Sequence, residues 1–102
     1  MRQDVKNGMR PVHPGEILKE DVLADLGMSA NAFAQALGVP ANRISGILAG
    51  KRAVSADTAL RLARYLGGSA QFWLNLQSAF DLRTAEIASG RRIAKEVRPR
   101  AA

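Results

Sequence analysis

The stretch S-A-N-A-F-A-Q-A-L-G-V-P-A-N-R-I-S-G-I-L-A-G-K-R, from Ser29 to Arg52, decides the fold of this 102-residue chain. Ser29 is a natural helix N-cap, because its hydroxyl accepts one of the orphan backbone N–H groups. Ala30, Phe33, Ala34 and Leu37 follow at i, i+3, i+4 and i+7, the spacing of one buried helical face. Gly38 then stops the helix, as expected where the backbone needs positive φ. Pro40 opens a second helix whose Ile44, Ile47 and Leu48 point inward, and Gly50 ends it. Two short helices joined at a glycine, the second followed by Gly50-Lys51-Arg52, form the layout of a helix-turn-helix. That unit lays its second helix in the DNA major groove.

Working outward, Pro14 and Glu16 open an earlier helix with Ile17, Leu18, Val22, Leu23 and Leu26 as its apolar stripe, closed by Gly27. Downstream, Ser55 caps a fourth helix with Asp57 placed for its positive end and Ala59, Leu62, Ala63 and Leu66 facing inward. Gly67-Gly68 interrupt the chain. Ser69 caps a fifth helix, with Phe72, Trp73, Leu76 and Phe80 as a core stripe, expected to run to about Glu86. No strand pattern and no internal repeat is visible. The predicted architecture is all-α with five helices. A flexible segment (1–12) precedes the DNA-binding domain (13–87), and a basic, frayed tail (88–102) follows it.

Composition narrows the function. The length is that of one domain able to bury a single core. The chain has no cysteine, so disulfides and thiolate chemistry are excluded, which suits a reducing cytoplasm. No apolar run approaches the roughly 18 residues of a membrane span, and Met1-Arg2-Gln3-Asp4 leads into no apolar signal core. The expectation is a soluble, intracellular protein. Net charge is +6, unevenly spread. Residues 28–66 carry five basic side chains against Asp57 alone, and residues 67–102 carry six against three. Residues 1–27 are slightly acidic. Positive charge concentrated on the suspected reading unit and on the tail draws polyanions by counterion release.

With Ile44 turned inward, the helical period turns Asn42, Ser45, Gly46 and Ala49 outward, with Ala41 and Arg43 flanking them. Asn42 suits adenine and Arg43 suits guanine, each bidentately, while Ala41 suits a thymine methyl. Gly46 is expected to allow close approach of the backbone. Lys51 and Arg52 are expected at phosphates, together with Ser29 and Asn31 at the start of the preceding helix and Gln35 further along it. The predicted base-reading set is therefore Ala41, Asn42, Arg43, Ser45 and Gly46.

Other chemistry finds no support in the sequence. His13 is the lone histidine and has no cysteine partner, so a cap or turn role fits it better than a metal site. Glu16 and Glu20 stand i, i+4 on the first helix, beside Asp21, and read as a solvated face. No phosphate loop, serine elbow or metal-ligand spacing is present. No enzyme, cofactor or metal is expected. Leu74, Leu82 and Ile87 lie off the core stripe of the fifth helix and point to a second contact, read as dimerisation.

The segments H-P-G-E-I-L (13–18), Ser29–Arg52, S-A-D-T-A-L-R-L-A-R-Y-L-G (55–67) and F-W-L-N-L-Q-S-A-F-D-L (72–82) occur in that order. Over about residues 11–87 the chain resembles the HigA family of antitoxins, within the Xre/Cro-like group of phage-repressor folds. The resemblance implies a dimeric bacterial repressor of palindromic operator DNA. It also implies a HigB-type toxin as partner, an RNase of the RelE-like class that cuts messenger RNA on the ribosome and is inhibited by the antitoxin. The family's recognition positions fall on Ala41, Asn42, Arg43, Ser45 and Gly46, followed by Lys51 and Arg52. Many phage-type repressors carry a DNA-contacting Gln where Ala30 stands here, so that contact is lost or passes to Asn31. The resemblance fixes no toxin-binding surface, and a stand-alone Xre-type repressor without a toxin is the alternative.

Overall fold

A computed structural model describes residues 10–101, and among these the chain forms five helices and no strand. Residues 1–9 of the segment expected to be flexible lie outside the described residues. Helix α1 covers residues 14–26, α2 is Ala30–Leu37, α3 is Ala41–Leu48, α4 is Ala56–Leu66 and α5 is Ala70–Glu96. Within α1, Leu18–Leu23 is π-helical. Bonding from i to i+5 brings Leu18 and Leu23 nearly to the same face, and both are buried.

Local chemistry sets the boundaries. Ser29, Ser55 and Ser69 accept hydrogen bonds from the N–H groups of Ala32, Thr58 and Phe72 at 3.1, 3.2 and 3.1 Å. Gly27 and Gly38 close α1 and α2 at φ of 63° and 70°, a left-handed backbone that costs glycine nothing. The first helix starts differently. His13 is its N-cap, with Nδ1 accepting the Gly15 N–H at 2.8 Å, and Pro14 occupies the first helical position.

The core collects Leu18 and Leu23 of α1, Phe33, Ala34 and Leu37 of α2, and Ile44 and Ile47 of α3. Val54, Ala59, Leu62 and Trp73 complete it. Three expectations differ from the structure. Leu26 is exposed at the end of α1. Phe72 is 51 % exposed and lies edge-on to the buried Trp73, with ring centroids 5.1 Å apart. The inner stripe of α5 runs through Trp73, Gln77 and Phe80, so Phe72 turns one helical position too far to reach the core. The third difference is length: α5 continues ten residues past Glu86 to Glu96, straight through Gly90. One interior glycine costs a helix only about 1 kcal/mol, and good helix formers surround this one. The far half of α5 therefore extends beyond the bundle, and the molecule measures 52 × 28 × 23 Å. No helix is long and apolar enough to cross a membrane among the described residues.

Candidate nucleic-acid interface

The interface is built around α3, which is positioned from both ends. At its C-terminal end, Gly15 of α1 lies so close that a Cβ there would stand 1.8 Å from the Ile47 carbonyl oxygen. Only glycine permits this approach. The loop that follows α3 folds back on the helix, with the Gly46 carbonyl accepting from the N–H groups of Lys51 at 2.9 Å and Arg52 at 3.1 Å. Two buried polar side chains fasten this region to the rest. Gln77 of α5 accepts the Val54 N–H at 2.8 Å and donates through Nε2 to Asp81 at 2.9 Å. His13 meets the ring of Phe80 edge-on at 4.8 Å. Burial pushes the His13 pKa below its ordinary value against the pull of Asp81, the Arg52 backbone and Glu16, so the neutral ring is favoured.

At the N-terminal end of α3 the surface is open. Ala41, Asn42 and Ser45 are exposed, as is Ala49 at the far end of the helix, as the outward-face reading requires, and the Ser45 hydroxyl donates to the Asn42 carbonyl at 3.4 Å. Ser29, Asn31 and Gln35 of α2 are exposed, as are Lys51 and Arg52. Ala30 is half-buried and has no polar atom with which to replace a glutamine contact.

Two residues of the predicted base-reading set sit differently. Gly46 is half-buried, and a Cβ there would lie 3.2 Å from the Arg52 Cβ. Its small size serves the packing of the Lys51–Arg52 loop rather than an open outward surface. Arg43 is turned toward α4, where its Nη1 meets Asp57 Oδ2 at 2.6 Å. The same oxygen takes Nε of Arg61 at 2.8 Å, and Arg61 Nη1 reaches the carbonyls of Leu37 at 3.0 Å and Gly38 at 3.3 Å. Arg61 first, then Arg43, holds the Asp57 carboxyl below the usual carboxylate range.

Sequence reasoning did not anticipate Gly15, Gln77 or the Asp57 cluster. The one available signal was the polar Gln77 on an otherwise apolar stripe. Glu16, read as part of a solvated face, is paired with Arg10 through two contacts of 2.6 and 2.8 Å. That pairing, with the hydrogen bonds foremost, lowers its pKa. Among the described residues, no group of three or more His, Cys, Asp or Glu side chains is arranged to hold a metal ion.

A helix-turn-helix family model matches residues 18–73, more than half the chain. A curated relative, antitoxin HigA-1 of Vibrio cholerae, is 42% identical over 76% of this chain and 72% of its own length. The solved structure of an addiction module antidote protein of the HigA family from Coxiella burnetii is 52% identical. Its TM-score is 0.85, over 90% of this chain and all of the other. Antitoxin HigA of Pseudomonas aeruginosa, solved with the higBA promoter, is 47% identical. Its TM-score is 0.87, again over 90% of this chain and 100% of that one. The chain belongs to the helix-turn-helix family and, within it, to the HigA antitoxins.

Proposed function

We propose that this protein is a sequence-specific DNA-binding antitoxin that represses its own operon and neutralises a HigB-type toxin. The observation that carries the DNA half is the open N-terminal face of α3, rimmed by Lys51 and Arg52 and held in place from behind. A relative of nearly the same backbone was solved with its promoter, which supports the same use of this face. In this reading α3 enters the major groove. Asn42 pairs with adenine, Ala41 touches a thymine methyl and Ser45 contacts a base edge or a bridging water. Gly46 shapes the same edge from beneath Arg52. Lys51, Arg52, Asn31, Gln35 and the Ser29 hydroxyl meet phosphates, which set register without reading sequence. The protein works as a binding module in the cytoplasm of a bacterium, and no residue is assigned a catalytic role.

Leu82 and Ile93 leave an exposed apolar face on the far half of α5, and Ile87 is exposed to one side of it. We assign it to a homodimer that sets two copies of α3 on palindromic half-sites about 34–36 Å apart. The toxin partner rests on family membership.

The test is fluorescence anisotropy with the promoter duplex upstream of the protein's own reading frame and a scrambled duplex. Tight, salt-dependent binding that prefers the promoter, weakened about equally on every duplex by Lys51→Ala, is the expected result. Equal affinity for both duplexes overturns the repressor reading. Co-purification with the product of the adjacent small reading frame, and protection of messenger RNA from it, tests the antitoxin half. Failure of that half alone leaves a stand-alone repressor.

A further inference from the structure

We propose that Asp57 is a specificity-determining positioning residue of this DNA interface. It withholds the Arg43 guanidinium from phosphates, so that α3 meets DNA along a neutral edge. The inference rests on the reading that α3 enters DNA.

Three observations carry it. The first is geometric. Arg43 Nη1 and Arg61 Nε converge on one oxygen of Asp57, at 2.6 and 2.8 Å. Arg61 is itself anchored on the carbonyls that end α2, so the carboxylate is held from behind and Arg43 is drawn toward α4. The second is exposure: the Arg43 side chain is only 25% exposed, against 56% for Asp57. The third is local electrostatics. Arg43 stands in the first turn of α3, where the helix dipole disfavours a cation, and that turn contains no acidic residue. Asp57, fourteen residues away, supplies the missing negative charge from α4.

The consequence follows from how cations bind duplexes. A long, unpaired arginine at the entry end of a recognition helix adds counterion release on any sequence. That term raises affinity for cognate and non-cognate DNA alike, so it narrows the difference between them. Clamped to Asp57, Arg43 contributes little of it, and discrimination is left to the base contacts of Asn42 and Ser45.

The experiment uses the full chain, the promoter duplex upstream of its own reading frame and a scrambled duplex of equal length and composition. Binding is titrated between 50 and 200 mM salt, a range over which phosphate contacts change affinity strongly. Wild-type protein prefers the promoter duplex; a wild type that binds both equally overturns the DNA reading and this proposal together. Asp57→Asn is expected to bind scrambled DNA more tightly, to steepen the salt slope by about 0.9 and to narrow the preference. Arg43→Ala in the Asp57→Asn background returns the scrambled-DNA slope to the wild-type value, and Asp57→Glu keeps the wild-type preference. Circular dichroism at the assay temperature reports folding. If Asp57→Asn does not fold, Arg43→Gln decides: an unchanged scrambled-DNA slope supports a withheld cation, and a slope flatter by about 0.9 overturns it. The proposal also falls if Asp57→Asn leaves preference and slope unchanged. It falls equally if the Asp57→Asn effect persists without Arg43, or if only promoter affinity drops, which would mean that Asp57 presents Arg43 to a base.

Discussion

The two ends of α3 are built on opposite principles. At its C-terminal end the side that faces the bundle is closed: Gly15 lies under the Ile47 carbonyl, His13 caps α1 beside it, and Gln77 secures the Val54 N–H of the following loop. At its N-terminal end Ala41, Asn42 and Ser45 are exposed, and the one bulky charge, Arg43, is tied to a neighbouring helix. Most of the distinctive sequence, His13-Pro14-Gly15 and the Trp73–Gln77 stripe, serves the closed end. The open end is made of small, ordinary residues. A groove-reading helix needs this asymmetry, because precise placement of a few polar groups requires a rigid mount behind them.

This contrast predicts a descending series of effects. Gly15→Ala puts a methyl group against a backbone oxygen, which cannot swing aside as a flexible side chain would. Stability in urea denaturation should drop by about 3 kcal/mol or more; a loss under about 1 kcal/mol would show that the α1–α3 joint is not tight. Gln77→Leu leaves the Val54 N–H buried without its acceptor and should cost about 1–3 kcal/mol in the same assay. It should also weaken DNA binding through the loop that carries Lys51 and Arg52.

Acid should act on the closed end through His13. Folding lowers its pKa, so on acidification the unfolded chain takes up the proton first. Stability should be full above about pH 6.5 and decline below it, levelling off once the folded form also protonates. Thermal melts across this range should show the decline in wild type and less of it in His13→Asn, whose amide oxygen can still cap α1. Equal slopes in the two proteins would remove His13 from the joint. The smallest structural effect belongs to the open end. Ser45→Ala should change stability by less than about 0.5 kcal/mol while measurably lowering promoter affinity in a gel-shift titration.

The same contrast explains what the amino-acid sequence disclosed. Helix number and order were legible because the stops and starts are local. Ser29, Ser55 and Ser69 cap within three residues, and Gly27 and Gly38 turn the chain on the spot. The outward set of α3 was legible from the period alone for Asn42, Ser45 and Ala49, with Ala41 flanking them. Contacts between distant residues were not. Nothing near Gly15 signals the Ile47 carbonyl, and nothing near Arg43 points to Asp57. Gly46 looked open because periodicity says where a residue faces, not that a loop folds back over it. The far end of α5 was not legible because a basic stretch that frays and one that continues a helix read alike.

The long reach of α5 has a practical corollary. Beyond Gln77 no described side chain is buried, so a protease nicking the chain near Ala85 would sever no part of the hydrophobic interior. The clipped bundle should remain folded with α3 intact. The exposed Ile87 and Ile93 would then be lost by trimming rather than by melting.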